Sequence, residues 1–271
     1  MNSPIKYYGG KTNMVDILQS YFPSSYDIYV EGFGGGASLL FSKPPYGIEV
    51  YNDLGQNVYS LFKVLSDKEM FYDLHDRMQL TYYSSKIREE FKQELKRDDL
   101  PMELRAYYYL VVNRCSFNGV GGFSTNMCVR RSMSKSVSDY LSMVDGLPQI
   151  HNRLSQVIVE NRDIMDLIDK YDGPNTFMYL DPPYVQSTRL SNQEYEEEMD
   201  DAQHKVFVEK LLECKSKVLV SGYDSPIYEP LNGKFQKVQF ISPNSKSSAV
   251  ETLWMNYTPR KSNITTGSIY E

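Results

Sequence analysis

Seven short apolar runs recur along this chain of 271 residues, and several are followed by a stretch with the spacing of a helix. The runs are 28–31, 47–52, 156–160, 176–180, 217–222, 234–241 and 251–257. Helices are predicted at 37–41, 54–65, 163–169 and 200–214. Strands that alternate with helices form a mostly parallel sheet covered on both faces. The predicted fold class is therefore α/β.

The alternation stops between residues 67 and 150. This stretch contains amphipathic helical text such as SSKIREEFKQELKRDD and ELRAYYYLVVNR, followed by the Gly- and Ser-rich segment FNGVGGFSTN. The pattern predicts an α/β domain made of 1–66 and 151–271, into which a mostly helical domain is inserted at 67–150.

Charge and cysteine content exclude several classes of protein. The net charge is −6 and the pI is about 5.3, so the chain is not a simple basic nucleic-acid coat, although a local basic patch would still bind DNA. The three cysteines and three histidines are dispersed, which predicts no metal site and no disulfide framework. No apolar segment has the character of a signal peptide or a membrane span. We expect a soluble, cytoplasmic protein with no membrane contact.

A glycine-rich turn follows the first apolar run. In IYVEGFGGGASLLF the strand ends at Glu31 and is followed by Gly32-x-Gly34-x-x-Ala37 and the start of a helix. Glycines at these positions let the chain turn sharply and let a ligand approach the backbone. Asp53 stands about 20 positions further on, where an acidic side chain accepts hydrogen bonds from ribose hydroxyls. The pattern predicts NAD or S-adenosylmethionine as cofactor, and the carboxylate of Glu31 favours the cationic S-adenosylmethionine.

The run FMYLDPPYV ends a strand with a carboxylate, two prolines and a tyrosine. Asp181 is thereby placed at the carboxyl edge of the sheet, where α/β enzymes bind ligands. Proline fixes φ and lacks an N–H, so the bend is rigid and the carbonyl of Pro182 can project beside the Asp181 carboxylate. Two adjacent acceptors suit an –NH2 group, and Tyr184 offers a face on which an aromatic ring can stack. The motif predicts a site for an extruded nucleobase whose exocyclic amine is activated for attack.

With these motifs the chain resembles the Dam-type DNA adenine-N6 methyltransferases, the alpha group with a DPPY motif, over nearly its whole length. The resemblance rests on ordered blocks, namely KYYGGK, VEGFGGGAS, YNDL, NRCSFNG, DPPY, VLVSGYDS and SSAVETLWMNY. It implies a Rossmann-like methyltransferase sheet in which the insertion at 67–150 is the target-recognition domain. It also implies that the target adenine of double-stranded DNA is flipped and methylated directly on N6 from S-adenosylmethionine, without a metal.

The resemblance assigns roles to individual residues. Asp181, Pro182 and Tyr184 are expected to bind and activate the target adenine, since the related cytosine enzymes usually carry Ser where this chain has Asp181. The residues expected to contact S-adenosylmethionine are Tyr7, Lys11, Glu31, Phe33, Gly34, Gly36, Asp53, Asp163 and Asp181. The acidic segment 193–201, which includes Tyr195, either faces away from DNA or forms a loop that closes over the flipped base.

The insertion carries a local excess of positive charge. Between residues 105 and 153 the cations are Arg105, Arg114, Arg130, Arg131, Lys135 and Arg153, against Asp139 and Asp145. Such a cluster is predicted to contact phosphates, and the expected DNA-binding residues are Arg114, Asn118, Arg130, Arg131 and Lys135. The amides of Asn113, Asn118 and Asn126 have the geometry that reads adenine. The text after FNG is shorter than in GATC-specific members, which leaves relaxed specificity open.

Two alternatives stay open at this point. A nicotinamide-dependent oxidoreductase would use the glycine turn and Asp53, but it leaves DPPY and KYYGGK without a role. A catalytically degenerate methyltransferase would act as a DNA-binding module, although both main motifs are intact. A bacterial or phage-infected cell and a role in restriction–modification are the expected settings, and the oligomeric state is left open.

Overall fold

The computed structural model describes residues 1–7, 9–185, 198–241 and 250–260. These fall into two compact units. The first consists of Met1–Gly10, Gly35–Pro44 and Gly55–Asn161, and the second of Lys11–Gly34, Pro45–Leu54 and Arg162–Glu271. The segment 67–150 lies wholly in the first unit, which also takes up 1–10, 35–44, 55–66 and 151–161 from the part predicted to carry the sheet.

The elements of the described residues follow closely the apolar runs of the sequence. The strands are β1 (Ile28–Glu31), β2 (Ile48–Asn52), β3 (Val129–Arg130), β4 (Met133–Ser134), β5 (Ile158–Glu160), β6 (Thr176–Leu180), β7 (Lys217–Gly222), β8 (Gln236–Ile241) and β9 (Val250–Met255). The helices are α1 (Val15–Ser20), α2 (Ser38–Ser42), α3 (Gln56–Ser66), α4 (Lys68–Leu80), α5 (Ser85–Glu94), α6 (Met102–Cys115), α7 (Lys135–Leu154), α8 (Ile164–Tyr171) and α9 (Asp201–Glu213).

Six of these strands form one sheet within the second unit, in the order β2-β1-β6-β7-β9-β8. β1 is parallel to β2 and β6, and β6 is parallel to β7, whereas β9 is antiparallel to both β7 and β8. The strand order reverses at β1, because β2 lies on one side of it and β6 on the other. This is a mostly parallel, Rossmann-like sheet, and the predicted α/β fold class is confirmed.

Burial explains why these segments form strands. All five residues of β6 are buried, as expected for a central parallel strand with both faces covered. Val30 of β1, Val220 of β7 and Trp254 of β9 belong to the same apolar cluster as Phe207 of α9. Asp200 caps α9 by accepting from the backbone of its first turn, so the helix begins where the sequence indicates.

The first unit is mostly helical. Helix α3 packs against α6 and α7, and α5 packs against α6. Side-chain caps begin three of the helices, with Asp67 before α4, Ser84 before α5 and Ser134 before α7. The strands β3 and β4 form a short antiparallel hairpin just before α7. The helical character predicted for 67–150 is therefore confirmed, and its role in target recognition stays a prediction.

Within the described ranges, no helix is long and apolar enough to cross a membrane. In the same residues, no group of three or more His, Cys, Asp or Glu side chains is placed to hold a metal ion.

Candidate active site

The carboxyl ends of β1 and β6 meet at the point where the strand order reverses. Glu31 pairs in register with Tyr179, and the N–H of Gly32 donates to the carbonyl of Tyr179 at 3.0 Å. Asp181 follows directly on the last residue of β6. Open α/β sheets bind their ligands in the crevice at this point. The glycine turn and the DPPY motif are thus brought to neighbouring strand ends.

Close packing requires the glycines after β1. A Cβ on Gly32 would stand 2.5 Å from a methyl carbon of Leu180, and a Cβ on Gly34 would stand 2.1 Å from the ring of Tyr51. Any larger residue would force the turn or these neighbouring side chains to move. The N–H of Gly34 donates to the carbonyl of Asn52 at 2.7 Å, which ties the turn to the end of β2.

Asn52 is a positioning residue that the motifs alone did not reveal. Its amide nitrogen donates to the carbonyls of Gly32 at 2.9 Å and Arg162 at 3.1 Å, and its Oδ1 accepts from the N–H of Arg162 at 2.8 Å. Because this side chain is buried and bonded on both edges, it fixes the glycine turn against the loop before α8. The signal in the sequence was a lone Asn that closes an apolar strand.

Three predicted cofactor residues differ in their surroundings. The ring of Phe33 packs edge-on against Phe207, with centroids 5.9 Å apart, so Phe33 also contributes to the packing of the apolar core. Asp53 is buried. Asp163 is exposed, and its Oδ1 accepts from the N–H of Met165 at 2.8 Å as the N-cap of α8.

Glu31 is a buried carboxylate at the end of β1, with only 2% of its surface exposed. The hydroxyl of Tyr29, on the same face of the strand, donates to Glu31 Oε2 at 2.9 Å. Burial and the charge of Glu31 raise the pKa of Tyr29 well above its ordinary value, so this hydroxyl stays a donor. The pair places a negative charge beside the glycine turn.

Lys11, Asp181 and Tyr184 form one cluster. The Nζ of Lys11 lies 2.9 Å from Oδ1 of Asp181 and donates to the hydroxyl of Tyr184 at 2.8 Å. The Lys11 side chain is 6% exposed and that of Asp181 is 17% exposed, so this ion pair is largely shielded from water. The structure therefore joins KYYGGK to DPPY, and Lys11 contacts two of the three predicted catalytic residues.

A second donor holds the Asp181 carboxylate. The hydroxyl of Ser221, in β7, donates to Asp181 Oδ1 at 2.7 Å, and it is itself 2.8 Å from the hydroxyl of Tyr179. With Lys11 and Ser221 both bonded to Oδ1, the carboxylate has a fixed orientation. Pro182, the next residue, is buried. Ser221 lies in the block VLVSGYDS, and the resemblance implies no role for this side chain.

Tyr184 is held both through the face of its ring and through its hydroxyl group. It stacks on Tyr223, with centroids 4.2 Å apart and an interplanar angle of 14°. Its hydroxyl donates to Oε1 of Glu251 in β9 at 3.0 Å, while it accepts from Lys11. Tyr223 therefore covers one face of the Tyr184 ring.

The charges in this cluster shift one another's protonation. Burial alone lowers the pKa of Lys11, but Asp181, together with Tyr184 and Glu251, outweighs burial and raises it well above the ordinary value. Burial raises the pKa of Glu251, and the charge of Lys11 opposes this rise. Lys11 is therefore a permanent cation at neutral pH, and it cannot serve as a base.

Tyr7 and Gly36 lie in the first unit. A Cβ on Gly35 would stand 2.5 Å from the ring of Tyr7, and one on Gly36 would stand 3.1 Å from Tyr7 Cβ. Gly35 also has a φ of +46°, so the Gly35–Gly36 turn is shaped to receive the tyrosine. Tyr8 and Tyr195, the tyrosine of the acidic segment 193–201, lie outside the described residues.

A family model describing the D12 class N6 adenine-specific DNA methyltransferases matches residues 7–247. The chain belongs to this family. The match spans the glycine turn, DPPY and the whole of 67–150, and it replaces the oxidoreductase alternative. The predicted resemblance and the predicted activity, DNA adenine-N6 methylation, are confirmed at the level of the family.

The methyltransferase is similar to curated relatives at low identity. It is 24% identical over 196 residues to the type II methyltransferase M.CviBI of Paramecium bursaria Chlorella virus NC1A, covering 68% of this chain and 69% of that protein. It is 22% identical to M.MjaIII of Methanocaldococcus jannaschii, covering 93% and 98%. It is 23% identical to M1.LlaDCHI of Lactococcus lactis subsp. cremoris, covering 90% and 89%.

Three of the five predicted DNA-binding residues of the methyltransferase, Arg130, Arg131 and Lys135, lie at the β3–β4 hairpin. Arg130 and Lys135 both pair with Asp139, at 2.7 and 2.6 Å, and each is nearly half exposed. Arg131, at the hairpin turn, is exposed and donates to Ser142 Oγ at 3.1 Å. Arg131 and Ser132 both have positive φ, 52° and 59°, as a two-residue turn of a twisted hairpin requires.

Asn118 and Arg114 have different environments. Asn118 is exposed and has a φ of 51° in the loop after α6. Arg114 is half-buried, its Nη2 donates to the carbonyl of Asp139 at 3.3 Å, and burial lowers its pKa. The Asn118 side chain is therefore accessible to solvent, whereas the Arg114 guanidinium is partly enclosed and bonded to the backbone.

Three polar residues that the sequence places among the candidates for DNA contact are buried in the structure. Arg105 and Arg153 are each 7% exposed and donate to backbone carbonyls, so they are not part of a phosphate-contacting face. Asn113 is 2% exposed, and its amide is bonded to both the N–H and the carbonyl of Lys6, at 2.8 and 2.9 Å. It cannot read a base. Charges and amides can be counted in the sequence, but the sequence does not show which of these side chains the packing of α6 and α7 would bury.

Proposed function

We propose that this D12-class protein transfers a methyl group from S-adenosylmethionine directly to N6 of an adenine extruded from double-stranded DNA. The observation that carries the proposal is the cluster of Asp181, Lys11 and Tyr184 at the end of β6, beside the glycine turn at the end of β1. The acceptor and the donor of a group transfer must meet, and neighbouring strand ends bring their binding elements together.

The chemistry of the side chains fits S-adenosylmethionine. Glu31, Asp53 and Asp181 are carboxylates at the strand ends of the second unit, and the first two are buried. A sulfonium and an ammonium group are cations, so they suit an acidic site better than a pyrophosphate does. When bound, this cofactor supplies an electrophilic methyl group. The family pattern also assigns Tyr7, Lys11, Phe33, Gly34, Gly36 and Asp163 to it, and these assignments stay predictions.

Asp181 and Pro182 are proposed to accept the two hydrogens of the adenine amine. Lys11 and Ser221 fix Asp181 Oδ1, which favours Oδ2 as the acceptor for an incoming N–H. Positive charge develops on N6 as the new bond forms, so a fixed carboxylate stabilises the transition state more than the ground state. The ring of Tyr184 is proposed to stack on the adenine ring, on the side away from Tyr223.

The hairpin of β3 and β4 is proposed to contact DNA. Arg130, Arg131 and Lys135 would meet phosphates, and Asn118 lies on the exposed loop after α6. The relatives are named type II methyltransferases. We propose by analogy a modification role within the cytoplasm of a bacterial or phage-infected cell.

The test is methyl transfer from S-adenosylmethionine with a labelled methyl group to unmethylated double-stranded DNA, followed by hydrolysis and identification of the modified base. We expect labelled N6-methyladenine. N4-methylcytosine would contradict the choice of base, and the absence of label in DNA would support a degenerate DNA-binding protein. Sequencing the methylated DNA would give the target site.

A further inference from the structure

Glu251 is a buried carboxylate near the start of a mostly apolar strand. It lies in β9, is 4% exposed, and is followed by the buried residues Thr252, Leu253 and Trp254. Glutamate is almost never buried unless it is paired, because removing its charge from water is costly. The fold alone gives no reason for this residue, since an apolar side chain would suit the position.

The hydroxyl of Tyr184 connects Glu251 to the active site. A phenol has one proton to donate, and here that proton is directed to Glu251 Oε1 at 3.0 Å. The hydroxyl oxygen therefore presents its lone pairs to Lys11, whose Nζ donates to it at 2.8 Å. Lys11 also lies 2.9 Å from Asp181 Oδ1. A directed series thus runs from Asp181 through Lys11 and Tyr184 to Glu251.

The second carboxylate oxygen of Glu251 adds to the cost. Oε2 is buried and has no hydrogen-bond partner in residues 1–7, 9–185, 198–241 and 250–260. Burial also raises the pKa of Glu251, against the opposing charge of Lys11. A buried acceptor that is left without a donor destabilises the fold. Glu251 thus destabilises the fold through its buried Oε2, and we explain its presence here by the hydrogen bond that Oε1 accepts from Tyr184.

We propose that Glu251 is a positioning residue of the acceptor site, which orients the Tyr184 hydroxyl and thereby holds Lys11 on Asp181. The inference rests on the proposed function, because it concerns how the adenine-binding side chains are arranged. Glu251 makes its contact with the site through the tyrosine, so it acts on the reaction through Tyr184 and Lys11. The bond from Tyr184 to Glu251 restricts rotation of the tyrosine hydroxyl, and the hydroxyl oxygen in turn holds Lys11 between Tyr184 and Asp181.

The test compares Glu251→Met, Glu251→Gln, Tyr184→Phe and the double variant Glu251→Met/Tyr184→Phe. Methionine conserves volume and removes the acceptor, glutamine keeps an acceptor oxygen, and phenylalanine keeps the ring that stacks on Tyr223. Turnover is measured with labelled S-adenosylmethionine and unmethylated bacterial genomic DNA, and kcat is separated from KM.

We expect Glu251→Met to lower kcat about 10-fold or more, with Glu251→Gln within about 3-fold of the wild type. Tyr184→Phe should show a loss similar to that of Glu251→Met. The double variant should be no worse than Tyr184→Phe, because that variant already removes the bond that Glu251→Met removes. A purely structural Glu251 would lower thermal stability without this non-additivity and without rescue by glutamine.

Three results would overturn the proposal: a Glu251→Met enzyme with wild-type kcat, additive losses in the double variant, or a Gln variant as impaired as the Met variant. If Glu251→Met does not fold, wild-type kcat in Tyr184→Phe still overturns the proposal, because it shows that the hydroxyl that joins Glu251 to Lys11 is not used. Failure of the proposed function is distinguishable, because the wild-type protein would then place no label on adenine.

Discussion

Lys11 Nζ lies 2.9 Å from Asp181 Oδ1, and this contact joins the first motif of the chain to the catalytic motif. Both side chains are largely buried, and removing one partner of such a pair leaves the other as an uncompensated charge. Lys11 also donates to Tyr184, so a single ammonium organises an acidic group and an aromatic ring. Replacement of any one of these residues is expected to disturb the other two.

Asp181→Asn is expected to lower kcat about 100-fold or more, because the variant loses the negative charge that stabilises the developing positive charge on N6. Binding of S-adenosylmethionine should survive at least in part. Single-turnover methylation and calorimetric titration of the cofactor separate these two effects. The matched control is Asp76→Asn on the exposed side of α4, which should leave both unchanged. Full turnover by the Asp181 variant would remove the mechanism proposed here.

Tyr223→Ala is expected to reduce kcat/KM for DNA about 3- to 10-fold, because a stacked aromatic pair contributes about 0.5–1.5 kcal/mol beyond its buried area. Tyr223 covers one face of Tyr184, and its loss lets that ring tilt. Tyr223→Phe preserves the stack and should retain the wild-type value. Steady-state kinetics on one DNA preparation would show the difference, and equal kcat/KM for the Ala and Phe variants would argue against a role for the stack.

Glu251→Gln should change the pH dependence of stability. Burial raises the folded-state pKa of Glu251 above its unfolded value of about 4.3, so between these two values the folded protein binds more protons than the unfolded chain. Stability attributable to this group is therefore present below pH of about 4.3 and is lost as pH rises through the folded pKa. Urea unfolding at pH 5 and pH 8 should show the Gln variant gaining stability relative to the wild type at the higher pH. A pH-independent difference would mean that the pKa is not raised.

Much of the fold could be predicted from the spacing of apolar residues and from the turn residues that end each apolar run. β1, β6 and β7 occupy the predicted residues, because each is an apolar run ended by a turn residue or a carboxylate. The glycine turn and DPPY could be placed at strand ends for the same reason. Neither motif shows that Lys11, about 170 positions before Asp181, would pair with it, because a long-range pair depends on how the strands are ordered.

The remaining site residues could not be found by motif, because each is a polar residue that looks ordinary in its own segment. Ser221 and Glu251 lie inside apolar strands, and their partners Asp181 and Tyr184 are remote in sequence. Asn113 illustrates the opposite error, since an amide in a basic segment was interpreted as a reader of DNA. Only packing shows that it binds the backbone of Lys6.

Asn113→Ala is expected to destabilise the protein by about 1–3 kcal/mol, because it leaves the N–H and carbonyl of Lys6 without partners in a partly buried site. Gly119 packs closely here, since a Cβ on it would stand 2.1 Å from the Lys6 carbonyl oxygen. Asn118→Gly is the matched control, because Asn118 is exposed and glycine accepts its positive φ. Thermal unfolding should separate the two variants, and equal midpoints would show that the contact with Lys6 adds no stability.

Arg131→Ala is expected to weaken DNA binding uniformly across sequences and to reduce the slope of log K against log salt by about 1, because one phosphate contact is lost. Arg131 is exposed at the hairpin turn, and its bond to Ser142 leaves the charge accessible to solvent. Arg97→Ala is the control, since Arg97 is also half exposed but is already paired with Glu94 and Asp99. Binding of an unmethylated duplex at several salt concentrations would distinguish them. If the slope is unchanged in the Arg131 variant, the hairpin does not contact phosphate, and the basic residues that meet DNA must be sought elsewhere in the protein.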